Sequence, residues 1–164
     1  CDTFDGKIAR AMKNRTKEME IFGIQIDSLC DMVCFGVTPV IISYQMGLNS
    51  VWGIAIEILF VLCGVIRLAY FTVLEELKHT NPETDQAKGY RGLPITTITI
   101  IYPIVYLFHP LVSHETFLLF LAIMHIVVAF LYVLDFKLKK PGNSVIAAMM
   151  VLVTAVMVCI LFVE

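Results

Sequence analysis

Five apolar segments, near residues 24–46, 51–74, 94–112, 116–135 and 143–163, leave this chain few ways to fold. Each is long enough, or nearly so, to cross a bilayer core of about 30 Å. Hydrophobic residues make up 59% of the 164 residues and charged ones only 16%, with a mean hydropathy of +0.83. A soluble domain of this length is far less apolar. The stretches are continuous rather than alternating, which argues against a β-barrel. The expected fold is all-α: a polytopic transmembrane helix bundle with about five full spans. Residues 1–10 read as the cytoplasmic end of an earlier helix, and the missing initiator Met marks an N-terminally truncated fragment. The third segment carries Pro94, Pro103 and Pro110, so kinks are expected there. Lys137, Lys139, Lys140, Pro141 and Gly142 form a clear helix stop before the fifth.

Cationic residues set the orientation. Lys7, Arg10, Lys13, Arg15 and Lys17 precede the first full span. Lys78, Lys88 and Arg91 follow the second, and Lys137, Lys139 and Lys140 follow the fourth. Eleven of the twelve basic residues thus fall on alternate connections, which the positive-inside rule assigns to the cytoplasm. The other connections, Gly47–Ser50 and Leu111–Glu115, have no Lys or Arg. The twelfth basic residue, Arg67, lies inside a span.

Asp2, Asp5, Gly6, Ala9, Arg10, Gly23, Asp27 and Asp31 stand at the cytoplasmic edge of this apolar chain. They spell D-x-x-D-G-x-x-A-R, then twelve residues, then G-x-x-x-D-x-x-x-D. The carboxylates are spaced i,i+3 and i,i+4, so each pair shares a helix face. Like charges about 4 Å apart cost roughly 4 kcal/mol at an effective dielectric near 20. Divalent cations relieve that repulsion, and hard oxygen donors suit Mg2+ or Mn2+. Gly6 and Ala9 leave room for a bulky ligand, and Lys7 and Arg10 offer cations to phosphate. Metal, cations and space for a flat group point to a nucleotide diphosphate and metal-assisted phosphoryl transfer.

This motif resembles the signature of the CDP-alcohol phosphatidyltransferase family, integral membrane enzymes that displace CMP from a CDP-linked lipid or alcohol. The resemblance implies a catalytic domain over 1–141, with 142–164 an additional C-terminal transmembrane helix. It implies that Asp2, Asp5, Asp27 and Asp31 hold two Mg2+ or Mn2+ ions and that Asp31 is the general base. It implies that Gly6, Ala9, Arg10 and Gly23 belong to the CDP site. The family's usual spacing between that Arg and Gly is about four residues, or one helical turn, shorter; Ala11 to Phe22 make twelve here. Within the family, three stretches are similar to the bacterial phosphatidylserine synthase branch: Asp27-Ser-Leu-Cys-Asp-Met-Val-Cys-Phe-Gly-Val-Thr-Pro39, Gly64-Val-Ile-Arg-Leu-Ala-Tyr-Phe71 and Tyr90-Arg-Gly-Leu-Pro-Ile-Thr-Thr97. The implied reaction moves a phosphatidyl group from CDP-diacylglycerol to L-serine. The setting is a bacterial-type plasma membrane, with the active site facing the cytoplasm. A homodimer is implied, with membrane lipids as further partners and no nucleic acid. The nearest alternative keeps the chemistry and takes another acceptor: glycerol 3-phosphate, an inositol phosphate or another alcohol.

Arg67, Lys88 and Arg91 are the candidates for binding acceptor or lipid phosphate. A buried charge at the depth of Arg67 costs about 2.5–3.5 kcal/mol on insertion scales, which marks it as functional; snorkelling to the headgroups is the bland reading. Lys88 and Arg91 equally fit a role as markers of the membrane boundary. Glu57 is expected to pair with a neighbouring helix, and His125 to be a hydrogen-bonded core imidazole. Thr96, Thr97 and Thr99 bond helix carbonyls or line the cavity. Cys1, Cys30, Cys34, Cys63 and Cys159 lack zinc-site spacing and read as small core residues. A transporter would place its carboxylates nearer mid-membrane, and a non-catalytic scaffold would not need all four Asp.

Overall fold

The computed structural model describes residues 16–80, 90–135, 137–138, 154–155 and 158, and of residues 20, 75–80, 90–91 and 137–138 the backbone alone. Helix α1, Lys17–Asp31, starts at Thr16, whose side chain accepts the Met19 N–H at 3.3 Å, a hydroxyl cap on an otherwise orphan donor. It runs without a break through a π-helical turn, Met32–Val37, into α2, Thr38–Gln45. Pro39 explains the widened turn. Its nitrogen donates nothing, and its ring would crowd the carbonyl four residues back. The Thr38 N–H and Oγ1 both reach back five residues to the Val33 carbonyl, the hydroxyl at 2.9 Å. The first span therefore covers Lys17–Gln45, 29 residues, and begins earlier than its apolar run. It ends at Gly47, whose φ of 112° suits glycine alone.

Helix α3, Val51–Thr80, is 30 residues long. Ser50 Oγ caps it by accepting the Gly53 N–H at 3.1 Å. The segment expected at 94–112 is broken, as its prolines predict. A 3-10 turn at Ile95–Thr97 leads into α4, Ile98–Tyr106, and a second 3-10 turn follows at His109–Leu111. Pro103 lies inside α4. Helix α5, His114–Val133, starts at Ser113, which accepts the Thr116 N–H. Lys17–Gln45, Val51–Leu74 and His114–Val133 are each long and apolar enough to cross a membrane, while Ile95–Leu111 is shorter. The architecture is the expected all-α membrane bundle. The helix expected at 143–163 lies mostly outside the described residues; Thr154, Ala155 and Val158 are helical.

Two contacts show which connections share an end. Strand β1, Tyr90–Arg91, pairs antiparallel with β2, Lys137–Leu138, placing Arg91 opposite Lys137. The two lysine- and arginine-bearing connections therefore meet. At the other end, a Cβ on Gly47 would lie 3.1 Å from His114 Nε2, so the two connections without Lys or Arg also meet.

The core lies between α3 and α5, around Phe60, Phe117, Leu121, Val128 and Tyr132. The Phe60 ring meets His125 edge-on at 4.8 Å and Tyr132 at 5.7 Å between centroids. The Tyr132 hydroxyl donates to the Ile95 carbonyl at 2.9 Å, tying α5 to the start of the broken segment. Ser43 and Tyr102 join α2 to α4 through hydroxyls 2.9 Å apart. His125 is fully buried with Nδ1 2.8 Å from the Leu121 carbonyl, the core imidazole expected. Glu57 is buried too, but Oε1 has no hydrogen-bond partner among the described residues. Thr99 Oγ1 donates to the Thr96 carbonyl at 2.6 Å. The cysteine reading needs correction: Cys63 is buried, whereas Cys30 and Cys34 are exposed. A bilayer makes the outer face of a span apolar as well, so a small apolar residue there does not imply core.

Candidate active site

Gly23, Asp27 and Asp31 succeed one another at intervals of four on α1, so they form one stripe down a single helix face. Asp27 is exposed and Asp31 half-buried at the last residue before the π-helical turn. Ser28, beside Asp27, turns towards α3, and its hydroxyl lies 3.0 Å from that of Thr72. One hydroxyl donates to the other, and the accepting hydroxyl keeps its own proton on the carbonyl four residues back on its helix, Ile24 for Ser28 or Leu68 for Thr72. Such interhelical hydroxyl pairs hold apolar spans together where lipid offers no competing hydrophobic drive. Between α1 and α3 an apolar cleft of about 280 Å³ opens, lined by Gln25, Leu29, Met32, Val65 and Ala69 among others.

Arg67 stands at the same depth. Ser28 and Thr72 mark one level; Gly64 and Met32 mark a second, since a Cβ on Gly64 would lie 3.4 Å from the Met32 sulfur. Arg67 falls between Gly64 and Thr72 on α3, as Asp31 falls between Ser28 and Met32 on the antiparallel α1. The side chain does not snorkel. It is 6% exposed, its Nε donates to the Leu93 carbonyl at 3.0 Å, and its Cζ lies 5.9 Å from the Phe71 ring centroid. Nη1 is buried without a hydrogen-bond partner among the described residues. Asp135, just past α5, attracts the guanidinium. Arg67, Tyr70, Gly92, Tyr132 and Asp135 line a second cavity of about 230 Å³.

Gly92 makes this arrangement possible. Its φ is +73°, and a Cβ there would lie 3.0 Å from the Leu134 carbonyl oxygen and 3.3 Å from Arg67 Nε. Backbone in that region costs a branched residue about 1–3 kcal/mol. Gly92→Val is therefore expected to lower the midpoint of thermal unfolding in detergent; an unchanged midpoint would show that the loop does not need this conformation.

Asp2, Asp5, Gly6, Ala9, Arg10 and Lys88 lie outside the described residues, and Arg91 is described through its backbone in β1 alone. Among the described residues no three metal-ligating side chains gather at one point. Asp135, Tyr70 and the Leu93 carbonyl are the site members that sequence reasoning missed. The signal for Asp135 was present: it is the one acid in the connection 134–141, among three lysines and directly after a span.

An all-helical membrane bundle with a buried arginine level with an acidic helix face defines the class of protein. A family model described as CDP-alcohol phosphatidyltransferase matches residues 1–133, and the chain belongs to that family. It is 37% identical over 106 residues to the CDP-diacylglycerol–serine O-phosphatidyltransferase of Saccharomyces cerevisiae, covering 64% of this chain and 37% of the relative. A protein of the same name from Methanocaldococcus jannaschii is 31% identical over 144 residues, 88% of this chain and 61% of the relative. The archaetidylserine synthase of Methanothermobacter thermautotrophicus is 35% identical over 107 residues, 65% of this chain and 41% of the relative. The chain thus spans well under half the length of two of these three relatives.

Proposed function

We propose that the protein transfers a phosphatidyl group from CDP-diacylglycerol to the hydroxyl of L-serine, forming phosphatidylserine and releasing CMP. The observation that carries this reading is Asp31, the inner end of the acidic stripe that Asp27 begins, at the depth of the buried Arg67. The names of the relatives support serine as acceptor.

In this reading Asp31 accepts the proton of the serine hydroxyl as that oxygen attacks the lipid-side phosphorus. The new P–O bond forms while the bond to CMP breaks. A base on rigid helix, one residue from a fixed turn, is held in place for that transfer. Asp27 and Asp31 present hard oxygen donors one turn apart, which fits Mg2+ or Mn2+, with Asp2 and Asp5 completing the set. A bound divalent ion supplies charge neutralisation to the diphosphate. Gly6, Ala9, Arg10 and Gly23 form the CDP site, and the cleft between α1 and α3 suits an acyl chain of the donor. Lys88 and Arg91 contribute cations towards lipid phosphate. The active site faces the cytoplasm of a bacterial-type plasma membrane, by the cation-bearing connections that meet at that end. The protein works there as a homodimer.

The deciding assay uses membranes carrying the protein, labelled CDP-diacylglycerol and a panel of acceptors, with and without Mn2+. Serine-dependent CMP release is the expected result. Release with glycerol 3-phosphate or an inositol phosphate instead would transfer the same chemistry to another acceptor. Asp27→Asn is expected to raise the Mn2+ concentration needed for half-maximal rate by at least about tenfold; unchanged metal dependence would remove Asp27 from the ligand set.

A further inference from the structure

We infer that the ribbon of β1 and β2 is a seat for an anionic phospholipid of the surrounding leaflet, the juxtaposed Arg91 and Lys137 taking its phosphodiester. The inference deepens the proposed role of Arg91 towards lipid phosphate. It adds Lys137 and makes the lipid a resident of the membrane surface rather than the reacting donor.

Three observations carry it. The register sets Arg91 directly against Lys137, cation opposite cation. Residues so placed on an antiparallel pair have Cβ atoms about 4.5–5.5 Å apart, and like charges there oppose the pairing. Each strand is two residues long, so backbone bonding offers little against that repulsion. An anion shared by the two cations replaces the repulsion with two attractions. The ribbon also stands at the membrane edge. Helix α5, 20 residues long, ends at Val133, four residues before Lys137. A helix of that length rises about 30 Å, the thickness of the hydrocarbon core. The backbone beside β1 is held at the same level, since a Cβ on Gly92 would lie 3.0 Å from the Leu134 carbonyl oxygen. Phosphodiesters are the anions that a bilayer presents at that depth, and an anionic leaflet concentrates them there. The neighbouring sequence, finally, supplies cations rather than acids. Lys88 precedes β1, and Lys139 and Lys140 follow β2. Asp135, the one acid in the connection 134–141, is drawn to Arg67. Glu75, Glu76, Glu83 and Asp85 precede Arg91 by six residues or more. An arginine fork matches two phosphate oxygens, and a lysine adds a point charge.

The test places the protein in nanodiscs of phosphatidylcholine with phosphatidylglycerol as the minor lipid. Phosphatidylglycerol carries an anionic phosphodiester and no CMP to release. The measured quantity is its enrichment over phosphatidylcholine in the lipid retained when the protein is extracted. Enrichment is expected for the unaltered protein. Lys137→Gln and Arg91→Gln are each expected to lower it about fivefold, the share of one cation at an anionic surface. Lys78, in the last turn of α3 and outside the ribbon, is the control: Lys78→Gln is expected to change it less than about twofold. No enrichment, or an equal loss in Lys78→Gln, would overturn the seat. Full displacement of phosphatidylglycerol by inorganic phosphate would give the site to a soluble anion instead. A lower melting midpoint for Lys137→Gln with unchanged enrichment would show an internal ion pair in its place. A raised KM for CDP-diacylglycerol in Lys137→Gln, in phosphatidylcholine alone, would assign the pair to the donor. Serine-dependent CMP release is read separately: its absence would overturn the transfer and leave the lipid seat standing, and lost enrichment would do the reverse.

Discussion

Asp31→Asn is expected to lower serine-dependent CMP release by about 10²–10⁴-fold, the range a positioned general base contributes. The amide keeps the size and shape of the carboxylate and takes up no proton at neutral pH. The helix should not notice the change: Asp31 is half-buried at the end of α1, and its backbone continues the helix into the π-helical turn. Thermal unfolding in detergent is therefore expected to match the unaltered protein. The two measurements together separate a chemical defect from a folding one. An Asp31→Asn protein that still turns over at more than about a tenth of the normal rate would end the assignment of Asp31 as base.

Phe60→Ala should produce the largest loss of stability. The ring is fully buried and touches both His125 and Tyr132, the centre of the contact between α3 and α5. In a bilayer the transfer part of the hydrophobic effect largely drops out, because lipid is as apolar as the core. The cavity remains: about 100 Å³ at roughly 24 cal/mol per Å³ amounts to about 2.4 kcal/mol. The same deletion loosens Tyr132, whose hydroxyl holds the Ile95 carbonyl. A fall of several degrees in detergent melting is expected. Phe60→Leu, which refills most of the space, is expected to recover over half of it. Equal melting of the Ala variant and the parent would show that this interface does not limit stability.

The parts of this fold that were legible in the sequence are those set by composition. Apolar length placed the start of the helix at Val51, which runs six residues past the expected 74, and the helix His114–Val133 to within two residues of 116–135; Pro94 and Pro110 accompany the 3-10 turns that break the third segment, while Pro103 lies inside α4. Charge asymmetry grouped the connections, and the pairing of Arg91 with Lys137 joins two of those grouped. Local hydrogen bonding was less visible. Thr16 starts the first helix seven residues before its apolar run near 24, because capping depends on one hydroxyl rather than on hydropathy. The π-helical turn left no periodic signal, since one proline explains it only once the chain is seen to stay helical past Pro39. Of the candidate site, Asp27, Asp31 and Arg67 were named from residue type and spacing. Asp135 escaped because its meaning comes from α5 ending beside α3, a relation between residues 68 positions apart.

The wide turn after Asp31 also governs angular phase. An i→i+5 loop takes in one residue more than an α-turn, and so sets back every later side chain by about 100° around the axis. Pro39 and Ser43, both buried, are thereby brought round beneath Asp31 instead of a quarter-turn away. Removing one residue between Met32 and Val37 would straighten the span yet swing the whole N-terminal half, with its acidic stripe, sideways relative to its neighbours. The geometry of the carboxylates is in this way clocked by a single surplus residue in the middle of the first crossing.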